Sequence, residues 1–154
     1  MTHETTKRFL EARAKAKLDP EKPQNPEDPK ARERFRKAYG AEIRADLLKT
    51  IALLVKGWCQ GAMARDVDGD RCTPHDGCAM SFCLTGGLAR VVKGERNMRA
   101  LREIERVIEG RLEVPLTHEQ RLHGLGSAIH FNDQAENVDE VVALLGEVAQ
   151  EVAA

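Results

Sequence analysis

The chain has 154 residues, 42% of them hydrophobic and 32% charged, with a net charge of −1. That balance fits one soluble globular domain with a sizeable core and excludes fibrous and membrane-embedded classes. The longest strongly apolar run, Ile51 to Val55, is far shorter than the roughly 20 residues of a bilayer-spanning helix.

The charge is unevenly spread. Residues 1–40 hold 11 Lys/Arg against 7 Asp/Glu, whereas residues 41–154 hold 13 against 18. A nucleic-acid-binding domain carries a basic body; here the body is acidic, so nucleic acid is not the expected partner. The start, Met1-Thr2-His3-Glu4, lacks the basic-then-apolar pattern of a secretory signal. A cytoplasmic location is therefore expected, and there the four cysteines read as thiols or metal ligands rather than disulfides.

Thr5 to Leu18 reads as a charged helix whose apolar stripe is thin, only Phe9, Leu10 and Leu18. Pro20, Pro23, Pro26 and Pro29 follow at the three-residue period of a polyproline II helix, a semi-rigid spacer. A proline-motif ligand is the alternative, weakened by the acidic and amide residues in between. Lys30 to Tyr39 is expected to be a short charged helix broken by Gly40. Residues 1–40 thus read as an arm, with the spacer at 20–29, that orders against an acidic surface, by preference a partner protein.

The compact body is expected over residues 41–154. Ile43, Leu47, Leu48, Ile51, Leu54, Val55 and Trp58 fall at helical spacing. Met63 to Thr73 suggests a hairpin, since Asp68-Gly69 is a favoured tight-turn pair. Asp76 reads as the N-cap of a helix through Cys83, Leu84, Leu88, Val91 and Val92, ending at Gly94. Gly86-Gly87 inside it suggests close approach of another backbone. Met98, Leu101, Ile104, Ile108 and Leu112 mark a further helix. Thr117 with Gln120, and Asn137 with Glu140, fit the capping box. The first opens a helix carrying Leu122, Leu125 and Ile129; the second opens one carrying Val141, Leu145, Val148 and Val152. The expected fold is mainly α: a compact helical domain of about five helices with at most one short β-hairpin, preceded by a charged helical arm.

Several groupings could carry chemistry. Cys72-Thr73-Pro74-His75-Asp76-Gly77-Cys78 places zinc-type ligands close together, with Cys59 and Cys83 as possible fourths, but lacks the usual paired knuckles. Asp66-Val67-Asp68-Gly69-Asp70 has its glycine at the wrong place for an EF-hand calcium loop and reads as a turn. Cys83 with His130 and Asn132 or Asp133 has the residue types of a nucleophilic set. An N-cap at Asp76 would place Cys83 two turns into its helix, however, where the end dipole has faded. Between Phe82 and Leu84 it reads as a small buried hydrophobe. His123, Ser127 and His130 would share one stripe of a continuous helix over 117–130, beside the core-facing leucines. No dinucleotide, phosphate-loop, zincin or nucleophile-elbow motif is present in the sequence.

Trp58, Ala64-Arg65-Asp66, Gly69, Pro74, Ala79, Ser81-Phe82-Cys83-Leu84, Gly86, Phe131-Asn132-Asp133 and Glu140-Val141-Leu144-Leu145 resemble DUF6197, an uncharacterised bacterial and phage family. The resemblance covers residues 41–152. Phe82 and Phe131 stand where the family pattern has Trp, and Gly87 where it has Ala; Cys72 and Cys78 are additions to it. It implies a fold neighbourhood and a residue list, with no activity attached.

Trp58, Arg65, Asp66, Cys83, His130, Asn132 and Asp133 are the candidate binding residues. Arg65-Asp66 and Asn132-Asp133 are expected to hydrogen-bond to each other and pin two helices together. The favoured function is a non-catalytic protein-binding module, of the kind phages and mobile elements encode, with a host protein or a second copy as partner. The alternative is a small thiol- or zinc-dependent enzyme centred on Cys83, His130 and Asn132. No cofactor and no tightly bound metal are expected.

Overall fold

A computed structural model describes residues 28–112 and 114–153. The expected Thr5–Leu18 helix and Pro20, Pro23 and Pro26 lie outside these residues. Among the described residues nine elements follow one another: α1 (Pro29–Lys56), β1 (Ala64–Arg65), β2 (Arg71–Cys72), β3 (Ser81–Phe82), α2 (Leu84–Val91), α3 (Gly94–Gly110), α4 (His118–Leu122), α5 (Ala128–Gln134) and α6 (Val138–Ala153). The fold is mainly α, as expected, with a small antiparallel sheet in the order β2-β1-β3. The predicted Asp68-Gly69 turn joins β1 to β2, and β3 adds a strand the sequence did not announce. No helix among the described residues is long and apolar enough to cross a membrane.

The chain divides into two units, Met1–Arg34 and Phe35–Ala154. In the first, Pro29 opens α1 rather than ending a spacer. Its missing N–H is no loss at a first helical position, and the Asp28 carboxylate accepts the Lys30 N–H.

In the second unit α1 runs on through Gly40, so the expected break there is wrong. A Cβ on Gly40 would lie 2.2 Å from the Val152 carbonyl oxygen. Glycine at this position lets α1 and α6 touch backbone to backbone.

Ile43, Leu47 and Leu54 of α1 are buried, while Leu48 and Val55 of the predicted stripe are exposed. Asp46 and Thr50 take buried positions instead. The Thr50 hydroxyl donates to the Asp46 carbonyl, and Arg96 of α3 grips the Asp46 carboxylate with Nε at 3.1 Å and Nη2 at 2.7 Å.

The main core joins Leu47 and Leu54 to Leu84 and Leu88 of α2, Ile104 of α3, and Leu144, Leu145 and Val148 of α6. Burying each such side chain contributes about 1.5–3 kcal/mol before chain entropy is counted. α6 is the cleanest case, for Val141, Leu144, Leu145, Val148, Ala149 and Val152 form one buried stripe at helical spacing. Asn137 accepts the Glu140 N–H as predicted, but the Glu140 carboxylate accepts from the Glu136 N–H, so the second capping box is only half formed.

Two further helix expectations fail. The segment 117–130 is two helices rather than one. The Thr117–Gln120 box caps α4, which stops after Leu122; Gly124 and Gly126 then turn the chain at positive φ, and Ser127 starts α5 by accepting the His130 N–H. Leu122, Leu125 and Ile129 are consequently exposed, and the His123–Ser127–His130 stripe does not exist. The second failure is at Asp76. Its carboxylate accepts from the Thr73 N–H in a loop, and the N-cap of α2 is Cys83, whose sulfur accepts from the Gly86 N–H at 3.3 Å.

Gly86 is the tightest point of the fold. A Cβ there would sit 1.8 Å from the Met63 carbonyl oxygen, so α2 lies directly on the backbone entering β1. We expect Gly86→Ala to cost about 3 kcal/mol or more. Gly146→Ala in α6, where the added methyl meets nothing within 4 Å, gains up to about 1 kcal/mol. Urea unfolding of the two variants is expected to give shifts of opposite sign.

Candidate functional site

The residues singled out from the sequence gather where the chain leaves α1. Gly57, Trp58 and Cys59 run beside β3: the Phe82 N–H donates to the Gly57 carbonyl, and the Cys59 N–H donates to the Phe82 carbonyl. Asn132 of α5 reaches into this corner and is fully buried. Its Oδ1 accepts from Trp58 Nε1 at 2.8 Å and from the Leu84 N–H at 2.9 Å. Its Nδ2 donates to the Cys59 carbonyl at 3.1 Å and to Asp133 Oδ1 at 3.3 Å. An amide offers two donors and two acceptor lone pairs, and here all four are used.

Asp133 extends the junction by accepting from the Gly61 N–H at 3.0 Å. Gln60 Nε2 points at the Asn132, Asp133 and Ala135 carbonyls, groups at the end of α5 that have no helical partner. Sequence reading missed Gln60. Nothing local distinguishes it, since its partners lie more than 70 residues away.

The expected direct link between Arg65-Asp66 and Asn132-Asp133 is replaced by another arrangement. Arg65 donates to the Gln60 carbonyl from Nη2 and to the Gly69 carbonyl from Nη1, so it braces the loop that bears Gln60. Asp66 is spent inside its own hairpin, accepting from the Asp68 and Asp70 N–H groups. Its two acceptor bonds close the turn, as an Asx motif does.

Cys83, His130 and Asn132 are not brought together as a catalytic set. Asn132 has no valence left for a substrate. His130 precedes it by two residues, about 200° round the helix, and is exposed while Asn132 is buried. Cys83 is buried, with its sulfur 3.2 Å from Thr85 Oγ1 as well as against the Gly86 N–H.

All four cysteines are free thiols. Burial pushes the Cys59 thiol above its ordinary value of 9.0, with the neighbouring Cys83 adding to the shift and a Ser81 hydrogen bond opposing it. The stability carried by the neutral Cys59 thiol is full below the unfolded-state pKa and is lost as pH rises through the higher folded value. Cys72 is likewise raised, first by desolvation and then by Cys78, Asp76 and Asp66 nearby. The ligand atoms of Cys72, Asp76 and Cys78 lie within 4.8 Å of one another. His75, adjacent in sequence, lines a different hollow with Ala89 and Val92.

A separate apolar hollow of about 240 Å³ opens between the end of α3 and α5. Ile108, Leu112, Leu116, Leu125 and Phe131 line it, with His130 and Glu140 also at its wall. It exists because the chain breaks at Gly124–Gly126, which leaves Leu125 turned outward.

We expect Asn132→Ala to cost about 3 kcal/mol or more, because the Trp58 and Leu84 N–H groups and the Cys59 carbonyl all lose a partner. Trp58→Phe, which removes one of those bonds, should cost about 1 kcal/mol. Cys83→Ser is expected to keep the cap and stay near wild type, while Cys83→Ala loses cap and packing and costs about 1–2 kcal/mol. Denaturant titration ranks the four. Thiol labelling of the native chain should modify Cys78 first and spare Cys59 and Cys83 until unfolding.

Residues 38–151 match the model of a family of unknown function, DUF6197. No curated protein and no solved structure matches the chain.

Proposed function

Starting from a chain that belongs to DUF6197, a family of unknown function, we propose that it is a non-catalytic protein-binding module whose contact surface is the apolar hollow beside α5. The observation that carries this reading is the contrast between two places. The buried polar junction at Asn132 uses its hydrogen bonds internally, whereas Leu112 and Leu125 are exposed at the wall of a concave apolar surface. The hollow, at about 240 Å³, is smaller than the roughly 300–1,000 Å³ typical of a small-molecule pocket. It suits a bulky apolar side chain anchored from a protein segment, with His130, Gln134 and Glu140 offering polar contacts at its wall.

The partner is a host protein or a second copy of the chain, and nucleic acid is disfavoured by the acidic body. The cytoplasm is the proposed location, supported by four free thiols, the state that a reducing compartment maintains.

The test is affinity capture from the native host with the full chain and with a Leu112→Glu/Leu125→Glu variant, accompanied by sedimentation of both. A partner or self-association present with wild type and lost with the variant, at an unchanged melting temperature, supports the reading. An identical partner set and oligomeric state for both proteins rejects it.

A further inference from the structure

The loop between β2 and β3 holds a compact set of ligand groups that the Asn132 junction does not use. Cys72 ends β2, where it pairs with Ala64 of the central strand. The next residues fold into a tight turn: the Thr73 N–H donates to Asp76 Oδ2, the Asp76 N–H to the Thr73 carbonyl, and the Ala79 N–H to the Asp76 carbonyl. Pro74 is buried, and Arg90 of α2 donates to its carbonyl at 3.0 Å. Met80 then returns the chain to the sheet by donating to the Arg65 carbonyl. The turn is thus anchored at both ends and in its middle. This brings Cys72, Asp76 and Cys78 to one spot, with every pair of their ligand atoms within 4.8 Å.

We propose that Cys72, Asp76 and Cys78 bind one thiophilic divalent cation of the zinc class. Two sulfurs disfavour magnesium and calcium, which take oxygen ligands, and two thiolates with one carboxylate suit zinc. Zinc–sulfur bonds of about 2.3 Å place two thiolates of a tetrahedral site about 3.8 Å apart. The set therefore closes on an ion by moving its atoms about 1 Å or less.

Binding exchanges the hydration shell of the ion for two sulfurs and one carboxylate oxygen, with one water retained and the rest released, and the two thiol protons pass to solvent. No electron is transferred. Asp76 and Cys78 are exposed, so water takes the fourth position. A three-ligand site open to water exchanges its metal. The chain consequently folds without the ion, in contrast to a four-cysteine structural centre. That distinction also answers the sequence-based objection to zinc. The missing paired knuckles argue against a structural centre, not against an exchangeable one.

The test uses the full-length, reduced, metal-free chain titrated with cobalt(II) as a zinc surrogate. We expect thiolate-to-cobalt charge-transfer absorption that saturates at one equivalent and is bleached by zinc. The band should vanish in Cys72→Ser and in Cys78→Ser, and Asp76→Asn should weaken binding at least about tenfold. In the wild-type chain zinc should protect Cys72 and Cys78 from alkylation, a readout independent of whether any variant folds. Absence of the charge-transfer band, a band that survives in Cys72→Ser/Cys78→Ser, or alkylation of these two thiols at an unchanged rate in zinc would overturn the site.

Discussion

One buried side-chain amide holds this domain together. Asn132 lies at the meeting point of three pieces of chain that are remote in sequence: the exit from α1, the start of α2, and α5 itself. An amide is the side chain suited to such a junction, since it presents donors and acceptors from one planar head without a charge to desolvate. An aspartate would bring a second carboxylate against Asp133, and a leucine would strand an indole N–H and two backbone groups. Burial in a low-dielectric corner strengthens each of the four bonds and makes the loss of any one costly.

The junction works because the backbones around it are brought unusually close. Gly86 lets α2 rest on the Met63 carbonyl, and the Cys83 N–H donates to that same oxygen at 3.1 Å. The Cys83 sulfur then caps α2, a role more often filled by serine or aspartate. Gln60 closes the end of α5, and Arg65 holds the loop from which Gln60 reaches. Tryptophan, cysteine, asparagine and aspartate grouped in a sequence resemble the makings of an active site. Here Trp58, Asn132 and Asp133 bond to one another and to nearby backbone, while the Cys83 sulfur caps α2. The groups left over lie elsewhere, in the hollow beside α5 and in the loop after β2.

Legibility followed the range of the interaction. The stripe of α6, the Thr117–Gln120 box and the Asp68-Gly69 turn were readable because each depends on residues within a few positions. The close approach at Gly86 was readable too, since a glycine pair inside a helix is costly unless a neighbour needs the space. At Gly40 the same logic was available, yet a break was expected, because the Val152 carbonyl that approaches it lies at the far end of the chain. Asp76 misled for a related reason: a good cap serves a loop as well as a helix, and the short strand β3 intervened where helix was expected.

From its sequence alone the chain is a mainly helical member of its family, with a hairpin at Asp68-Gly69 and special residues at Trp58, Cys83, Asn132 and Asp133. These follow from periodicity, capping and turn chemistry, all of which act over one or two turns of chain. Only the tertiary structure decided what those residues do. Three of the four partners of Asn132 stand 48 to 74 residues away, and no local preference encodes which buried donor will find which acceptor. The same holds for the burial of Asn132 and the exposure of Leu125 and His130. Each depends on where packing against distant elements leaves a side chain.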